Sequence, residues 1–423
     1  MKYAIVIPDG CADEPQDSLG GKTPLQAARL PNMDRIARTG VVGRSNNVPA
    51  HLTPASDVAT LSLLGYDPAE IYTGRSPLEA AAMGITLGPN DLAIRCNLVN
   101  VDQEEMRDFT AGHISSEEGH QLIDALQREL GGPIQGGRIQ DESHSNGGFS
   151  GLTESQVDRL DFYPGVSYRN CLVYRTVSQA PFSAETKTQP PHDIPDQPIG
   201  PHLPQGPGSY FLKLLMEKSR EILGSHPVNE ARRKAGKRPA TQIWLWGQGR
   251  APRLQSFQEV YGKRGAMISG VDLIRGVGIL LGWKRIDAPG VTDYLDNDYA
   301  AQGKATIEAL KEFDIVCAHV EAPDEASHEG KADEKVKALE RIDQHIVGPL
   351  LEVMPKLGDW RILVTPDHRT PLRTRAHAHG AVPFAMAGTG LPPCGQSSYD
   401  EATAAASTLV FDRGHELMRR FLS

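Results

Sequence analysis

Four short stretches hold the residues best suited to chemistry. Asp9 stands in Ile7-Pro8-Asp9-Gly10, and Asp324 and His328 lie four apart within 321–328. Asp367 and His368 are adjacent in Thr365-Pro366-Asp367-His368, and His377 and His379 follow soon after. Carboxylates mixed with imidazoles form a hard-to-borderline ligand set that suits Mn²⁺, Zn²⁺ or Mg²⁺, with Mn²⁺ favoured by the balance of the two ligand types. Six or so ligands exceed what one ion takes, so two divalent metal ions about 4 Å apart are expected. No stretch carries this alone. With 53 acidic residues and 14 histidines in 423, an acid four places before a histidine arises by chance about twice. Asp9, between Pro8 and Gly10, is equally a turn former, and Asp367-His368 could be a turn with a solvated ring. The joint pattern points to a metal centre.

Ser56, in Thr53-Pro54-Ala55-Ser56-Asp57, is the candidate nucleophile. It sits at or just before the start of a helical run over 57–64. Serine is a favoured N-cap, and spacing alone favours that role. The same helix end also offers free N–H groups and a positive dipole to a phosphate, and an adjacent cation would acidify the hydroxyl without a histidine base. Arginine forks match phosphate and carboxylate. The candidates are Arg75, Arg169, Arg250, Arg253 and Arg275. Arg250 stands above the rest because it follows the strand-like run 243–246. His192-Asp193 reads either as an acid/base pair or as an Asx-type turn.

These residues need elements to hold them. Runs 3–7, 315–320 and 361–364 are short, apolar and strand-like, while 299–313 and 332–351 carry helical patterns, and 33–37 belongs to a helix after Pro31. Strands alternating with amphipathic helices predict an α/β fold with a largely parallel sheet. Three of the metal stretches fall just past the carboxyl end of a strand, where ligands of such sheets bind. The middle differs. Residues 131–151 are Gly- and Ser-rich, and 178–209 hold many of the 31 prolines, which excludes core elements there. Between them 169–174 reads as a strand, and 210–223 as a helix. The division expected is 1–87 plus 263–423 as the metal-binding domain, with 88–262 inserted as a smaller domain.

Bulk properties narrow the classes. A net charge of -9 leaves no basic surplus for nonspecific nucleic-acid binding. No apolar run reaches membrane-spanning length, and no signal-peptide pattern opens the sequence. Five scattered cysteines without C-x-x-C suit a reducing, cytoplasmic setting. The partner expected is a small phosphorylated substrate, and nothing here fixes an oligomeric state.

Taken in order, Ile7-Pro8-Asp9-Gly10, Pro54-Ala55-Ser56-Asp57, the run 61–67, Thr73-Gly74-Arg75, the run 319–328, Thr365-Pro366-Asp367-His368 and Val382-Pro383-Phe384 are similar to the cofactor-independent phosphoglycerate mutases of the archaeal type, in the alkaline phosphatase superfamily. The resemblance runs through nearly the whole chain. It implies a doubly wound α/β phosphatase-like domain interrupted by a smaller α/β transferase domain. It implies two metals, commonly Mn²⁺, one on Asp9, Ser56, Asp367 and His368, the other on Asp324, His328 and His377. It implies that Ser56 takes the phosphate of 3-phosphoglycerate and returns it to the 2-hydroxyl, with arginines clamping phosphate and carboxylate. This chain departs from the pattern in 377–383, where His379 is an added candidate ligand, and at Ala55 and Ser76. Runs 243–250 and 226–229 resemble a bacterial branch for which a homoserine kinase role has also been proposed. Transfer to another acceptor such as homoserine, hydrolysis by the same metals, and a non-enzymatic metal-binding protein are therefore the competing readings. An inserted domain acting as a lid disfavours hydrolysis, because excluding water favours transfer.

Overall fold

The computed structural model describes residues 1–134, 157–183 and 185–423; most of the Gly/Ser-rich stretch 131–151 lies outside the described residues. The chain forms two compact units, Met1–Tyr72 with Arg253–Ser423, and Thr73–Pro252.

The first unit is built on an eight-stranded sheet. At its centre Lys2–Pro8 runs parallel to Ile315–Val320 on one side and Trp360–Val364 on the other. Gly265–Ile268 and Lys284–Arg285 extend the parallel part. Val382–Gly388 and Val41–Ser45 continue the other side antiparallel, and Val410–Phe411 closes that edge. Ile315–Val320 is buried at every residue and Lys2–Pro8 at all but its first. That is the pattern of a sheet covered on both faces. Ala4, Val6, Val316, Ala318, Ile362 and Val364 pack with helices Pro31–Thr39, Tyr299–Glu312 and Ala332–Ile342. On the opposite face Tyr3 meets Phe421 of Glu416–Leu422 edge-on at 5.5 Å. The sheet is thus doubly wound and largely parallel.

The helical pattern over 332–351 does not yield one helix. After Ile342 the chain makes a π-turn, Asp343–Val347, before resuming as Gly348–Val353. The turn aims the Asp343 carboxylate at the start of Pro31–Thr39, where it accepts from the backbone N–H groups of Met33 at 2.7 Å and Asn32 at 3.1 Å. These first-turn donors have no partner within their own helix.

The second unit is a six-stranded antiparallel sheet with helices. Its long strand Leu92–Asp102 pairs with Arg169–Arg175 and with Gln242–Arg250. Leu92, Ile94, Cys96 and Leu98 face Ser116–Leu130 and Ser209–Gly224. Ala93 on the other face packs with Ala80 of Ser76–Ala82. That contact moves the domain boundary. The expected cuts at 87/88 and 262/263 lie at 72/73 and 252/253, because Ser76–Ala82 covers this sheet and Ser76 Oγ donates to Gly247 O at 2.6 Å. Among the described residues no helix is long and apolar enough to cross a membrane.

Candidate functional site

Strand register decides which side chains meet. Pro8 lies opposite Val320, and Val6 opposite Val364. The backbone therefore delivers Asp9, Glu321 and the segment from Thr365 to one edge of the sheet. Around His368 Nε2 gather Ser56 Oγ at 3.1 Å, Asp367 Oδ2 at 3.4 Å and Asp9 Oδ1 at 3.5 Å. Around Asp324 Oδ2 gather His328 Nε2 at 2.9 Å and His377 Nε2 at 3.3 Å, these two nitrogens being 3.0 Å apart. The ring centroids of His368 and His377 lie 4.1 Å apart with the planes tilted by 37°, so the two sets are neighbours. His379 is exposed and stands outside both.

Hydrogen bonding shows what these sets fit. His328 Nδ1 lies 2.9 Å from Arg375 O, and His377 Nδ1 lies 3.3 Å from Pro54 O. A carbonyl only accepts, so both rings carry their proton on Nδ1 and turn Nε2 inward, the arrangement that metal-ligating histidines adopt. Asp9 Oδ1 and Asp367 Oδ2 are buried with no hydrogen-bond partner. A buried oxygen left so is costly, and a cation between them would satisfy both. Burial, reinforced by the charges of Asp367 and Asp324, pushes Asp9 well above the ordinary carboxylate range. Burial and Asp9 do the same to Glu321. Asp324 goes the other way: against the effect of burial, hydrogen bonds from His328 and His377 hold it well below its usual value. The same bond from Asp324 raises His328 to about 9. Without a metal, a proton occupies the place that the lone pairs leave. The residues present fit divalent cations.

Ser56 is the first residue of its helix, Ser56–Leu63, and not its cap. Ala55 holds the cap position in extended conformation and no side chain caps the helix. The hydroxyl is therefore free of a capping bond and turns to His368.

His319 escaped the sequence reading. Its strand looks like core, yet the ring contacts Asp9 Oδ2 through Nε2 at 2.8 Å and Ser269 Oγ through Nδ1 at 3.1 Å. Ser269 Oγ also accepts from Val271 N, so the ring bridges Ser269 and Asp9. His319 thus holds Asp9 Oδ2 and leaves Oδ1 to face His368. A lone polar residue in an otherwise apolar buried strand is the signal that could have marked it.

The expected substrate clamps divide. In the second unit the guanidinium groups of Arg75 and Arg95 lie 5.8 and 5.4 Å from the Trp246 ring, and the His192 ring meets the same indole at 5.4 Å. Glu79 joins the two arginines, accepting from Arg75 Nε at 2.8 Å and from Arg95 Nη1. Asn97 Oδ1 accepts from both Arg95 Nε and Trp246 Nε1. Burial lowers the pKa of His192, and Arg75, Arg95 and Arg169 lower it further against Asp193. Arg75 and Arg95 therefore form a positive cluster at the Trp246 ring, with the His192 ring beside it. Arg95, inside an apolar strand, was not foreseen. His192 and Asp193 are not a hydrogen-bonded acid/base pair, being 3.8 Å apart, and Asp193 accepts from Gln189 instead. Arg250 ends its strand with its carbonyl accepting from Thr73 Oγ1. Arg275 lies in the first unit, its guanidinium held by Asp272 at 2.8 Å, Asp287 at 3.7 Å and Ser269 O at 2.7 Å.

Known proteins bear on this geometry. The family model described as 2,3-bisphosphoglycerate-independent phosphoglycerate mutase matches residues 37–229. A protein of Methanothrix thermoacetophila with that name is 44% identical over 424 residues, covering 100% of both chains. A solved structure of a Pyrococcus horikoshii protein is 26% identical, with a TM-score of 0.77 over 100% of this chain and 96% of that one. The cofactor-independent phosphoglycerate mutase of Thermoplasma acidophilum shares the fold, with a TM-score of 0.65 at 24% identity over 100% of both chains.

Proposed function

The chain belongs to the 2,3-bisphosphoglycerate-independent phosphoglycerate mutase family, and from that premise we propose that it interconverts 3-phosphoglycerate and 2-phosphoglycerate through a phosphoserine at Ser56. The observation that carries this reading is the Ser56 hydroxyl. It caps nothing, and it lies 3.1 Å from His368 Nε2 in a set that includes the unpartnered oxygens of Asp9 and Asp367.

Ser56 Oγ loses its proton and forms a bond to phosphorus as the bond from phosphorus to the 3-oxygen breaks, and the glycerate 3-oxygen takes up a proton. The 2-hydroxyl oxygen then loses its proton and attacks the phosphoserine, the electron pair of the breaking bond returns to Ser56 Oγ, and that oxygen is reprotonated. No water is consumed, so the reaction is a net isomerisation. Two divalent cations, with Mn²⁺ best matched by the mixed ligands, would be held by Asp9, Ser56, Asp367 and His368 and by Asp324, His328 and His377; bound there they acidify the serine hydroxyl and neutralise charge on the transferring group. Asp9, held by His319, keeps one oxygen directed at His368. His328 and His377, tied to backbone carbonyls, keep Nε2 directed at Asp324. The positive cluster of Arg75 and Arg95, with Arg169 and His192 as further candidates, suits the carboxylate of the substrate, which supports the second unit as the substrate-holding part. Five free cysteines, four of them buried, favour a cytoplasmic enzyme.

The test is an enolase-coupled assay of the full chain with Mn²⁺ and 3-phosphoglycerate. Product should form with wild type and not with Ser56→Ala. Release of inorganic phosphate in place of 2-phosphoglycerate would make the protein a hydrolase and overturn the reading.

A further inference from the structure

Thr370 has no part in the reading above, yet its single hydroxyl touches both ligand sets. It is fully buried. Thr370 Oγ1 lies 2.5 Å from Asp324 Oδ1 and 3.2 Å from His368 Nδ1. In the two-cation reading proposed above Asp324 belongs to one set and His368 to the other, although their ligand atoms also lie within reach of one another.

The hydroxyl has one proton, and its direction is fixed. The Thr370 O–H donates to Asp324 Oδ1; two oxygens at that distance without a proton between them would repel. The lone pair left on Thr370 Oγ1 must then receive a proton from His368. That proton sits on Nδ1, the ring atom 3.2 Å from Thr370 Oγ1. Nε2 is left to face Ser56, Asp9 and Asp367. A carbonyl performs this office for His328 and for His377; at His368 the Thr370 hydroxyl acts beside the backbone of Arg369.

The surroundings hold Thr370 in place. Thr370 N donates to Ala12 O at 3.3 Å. Lys335, itself fully buried, donates through Nζ to Thr370 O at 3.0 Å and to Asp13 Oδ2 at 2.8 Å. Gly10, at φ +57, leaves the space that the hydroxyl and Asp324 Oδ1 fill.

We propose that Thr370 is a positioning residue that couples the two cation sites, orienting Asp324 for one and fixing the His368 tautomer for the other. The proposal rests on the two-cation reading. His319 provides the contrast, because its ring bridges Ser269 and Asp9 and so acts on one set.

The test is a calorimetric titration of the cation-free full chain with Mn²⁺, for wild type, Thr370→Val and Thr370→Ser. Wild type should take up two ions. Thr370→Val, which keeps the shape and removes the hydroxyl, should weaken both by about 10–100-fold, the usual cost of losing a partner behind a ligand. Thr370→Ser should stay within a few-fold of wild type. Two ions on wild type with either step unchanged in Thr370→Val overturns the coupling and leaves the two-cation reading intact. Equal losses in Thr370→Ser and Thr370→Val assign the effect to packing and overturn it as well. Fewer than two ions on wild type removes the two-cation reading, and the proposal with it. A readout independent of any variant is the ¹⁵N spectrum of His368 in the cation-free wild type. It should show the proton on Nδ1, and a proton on Nε2 overturns the proposal.

Discussion

Removing the divalent cations should lower the melting temperature of the first unit by about 10 °C. In the cation-free chain Asp9 and Asp367 are fully buried, each with one oxygen that has no donor. A cation that satisfies them binds the folded form and finds no such site in the unfolded one. At a free concentration one hundred times its Kd, each ion adds about 2.7 kcal/mol, and two add about 5 kcal/mol. For a unit of roughly 240 residues, 1 kcal/mol corresponds to about 2 °C. The assay is calorimetric melting of the full chain with excess chelator and with Mn²⁺ at one hundred times the Kd measured by titration. Asp324→Asn, which damages one set, should reduce the shift by about half. A shift under about 2 °C at that loading would refute the reasoning, because the ions would then favour the folded sets no more than the unfolded chain.

Three further outcomes follow from local geometry. His328 has a pKa of about 9 in the cation-free chain, so near pH 7.5 the ring is protonated and a binding cation must expel that proton; apparent affinity should fall as pH drops below about 9, and titrations in buffers of different ionisation enthalpy should show about one proton released. Glu79 sits between Arg95 and Arg75, which outweigh the opposing effect of burial and hold its pKa at about 2; its stabilising contribution is complete above the unfolded value of about 4.3 and is lost as pH falls towards 2. Glu79→Gln should cost about 3 kcal/mol in urea unfolding at pH 7, since Arg95 is left buried without its counter-charge, and an unchanged midpoint would show the pair to be dispensable. Gly10→Ala places a Cβ at positive φ against Asp324 Oδ1 and Thr370 Oγ1, so Mn²⁺ titration should show loss of the Asp324 ion.

The convergence of the candidate ligands was legible because they follow strands. Asp9, Asp324 and Asp367 all stand shortly after apolar runs, and parallel register brings the ends of such runs together. Ser56 was not legible from spacing. A serine before a helical run is usually its cap, and only the extended Ala55 shows that the helix begins one residue earlier. His319 and Arg95 were hidden for a common reason. Each is a polar residue flanked by buried apolar neighbours in a strand, and each has a partner distant in sequence, Asp9 for His319 and Glu79 for Arg95. The domain boundary failed for a related reason: the short helix Ser76–Ala82 has no local mark showing which sheet it covers. Arg275, promising in sequence, pairs with the exposed carboxylates of Asp272 and Asp287, contacts that no sequence motif announces. The acceptor was also beyond the motifs, since the metal half would be the same for glycerate and for homoserine.

The central claim is that Ser56 carries the phosphoryl group. The most direct measurement is acid quench of the Mn²⁺-loaded chain during turnover of 3-phosphoglycerate labelled in its phosphate, followed by peptide mass spectrometry. The account predicts labelled phosphate on Ser56, in a burst no slower than the appearance of 2-phosphoglycerate. Turnover to 2-phosphoglycerate with Ser56 never labelled, or with full activity in Ser56→Ala, would contradict it.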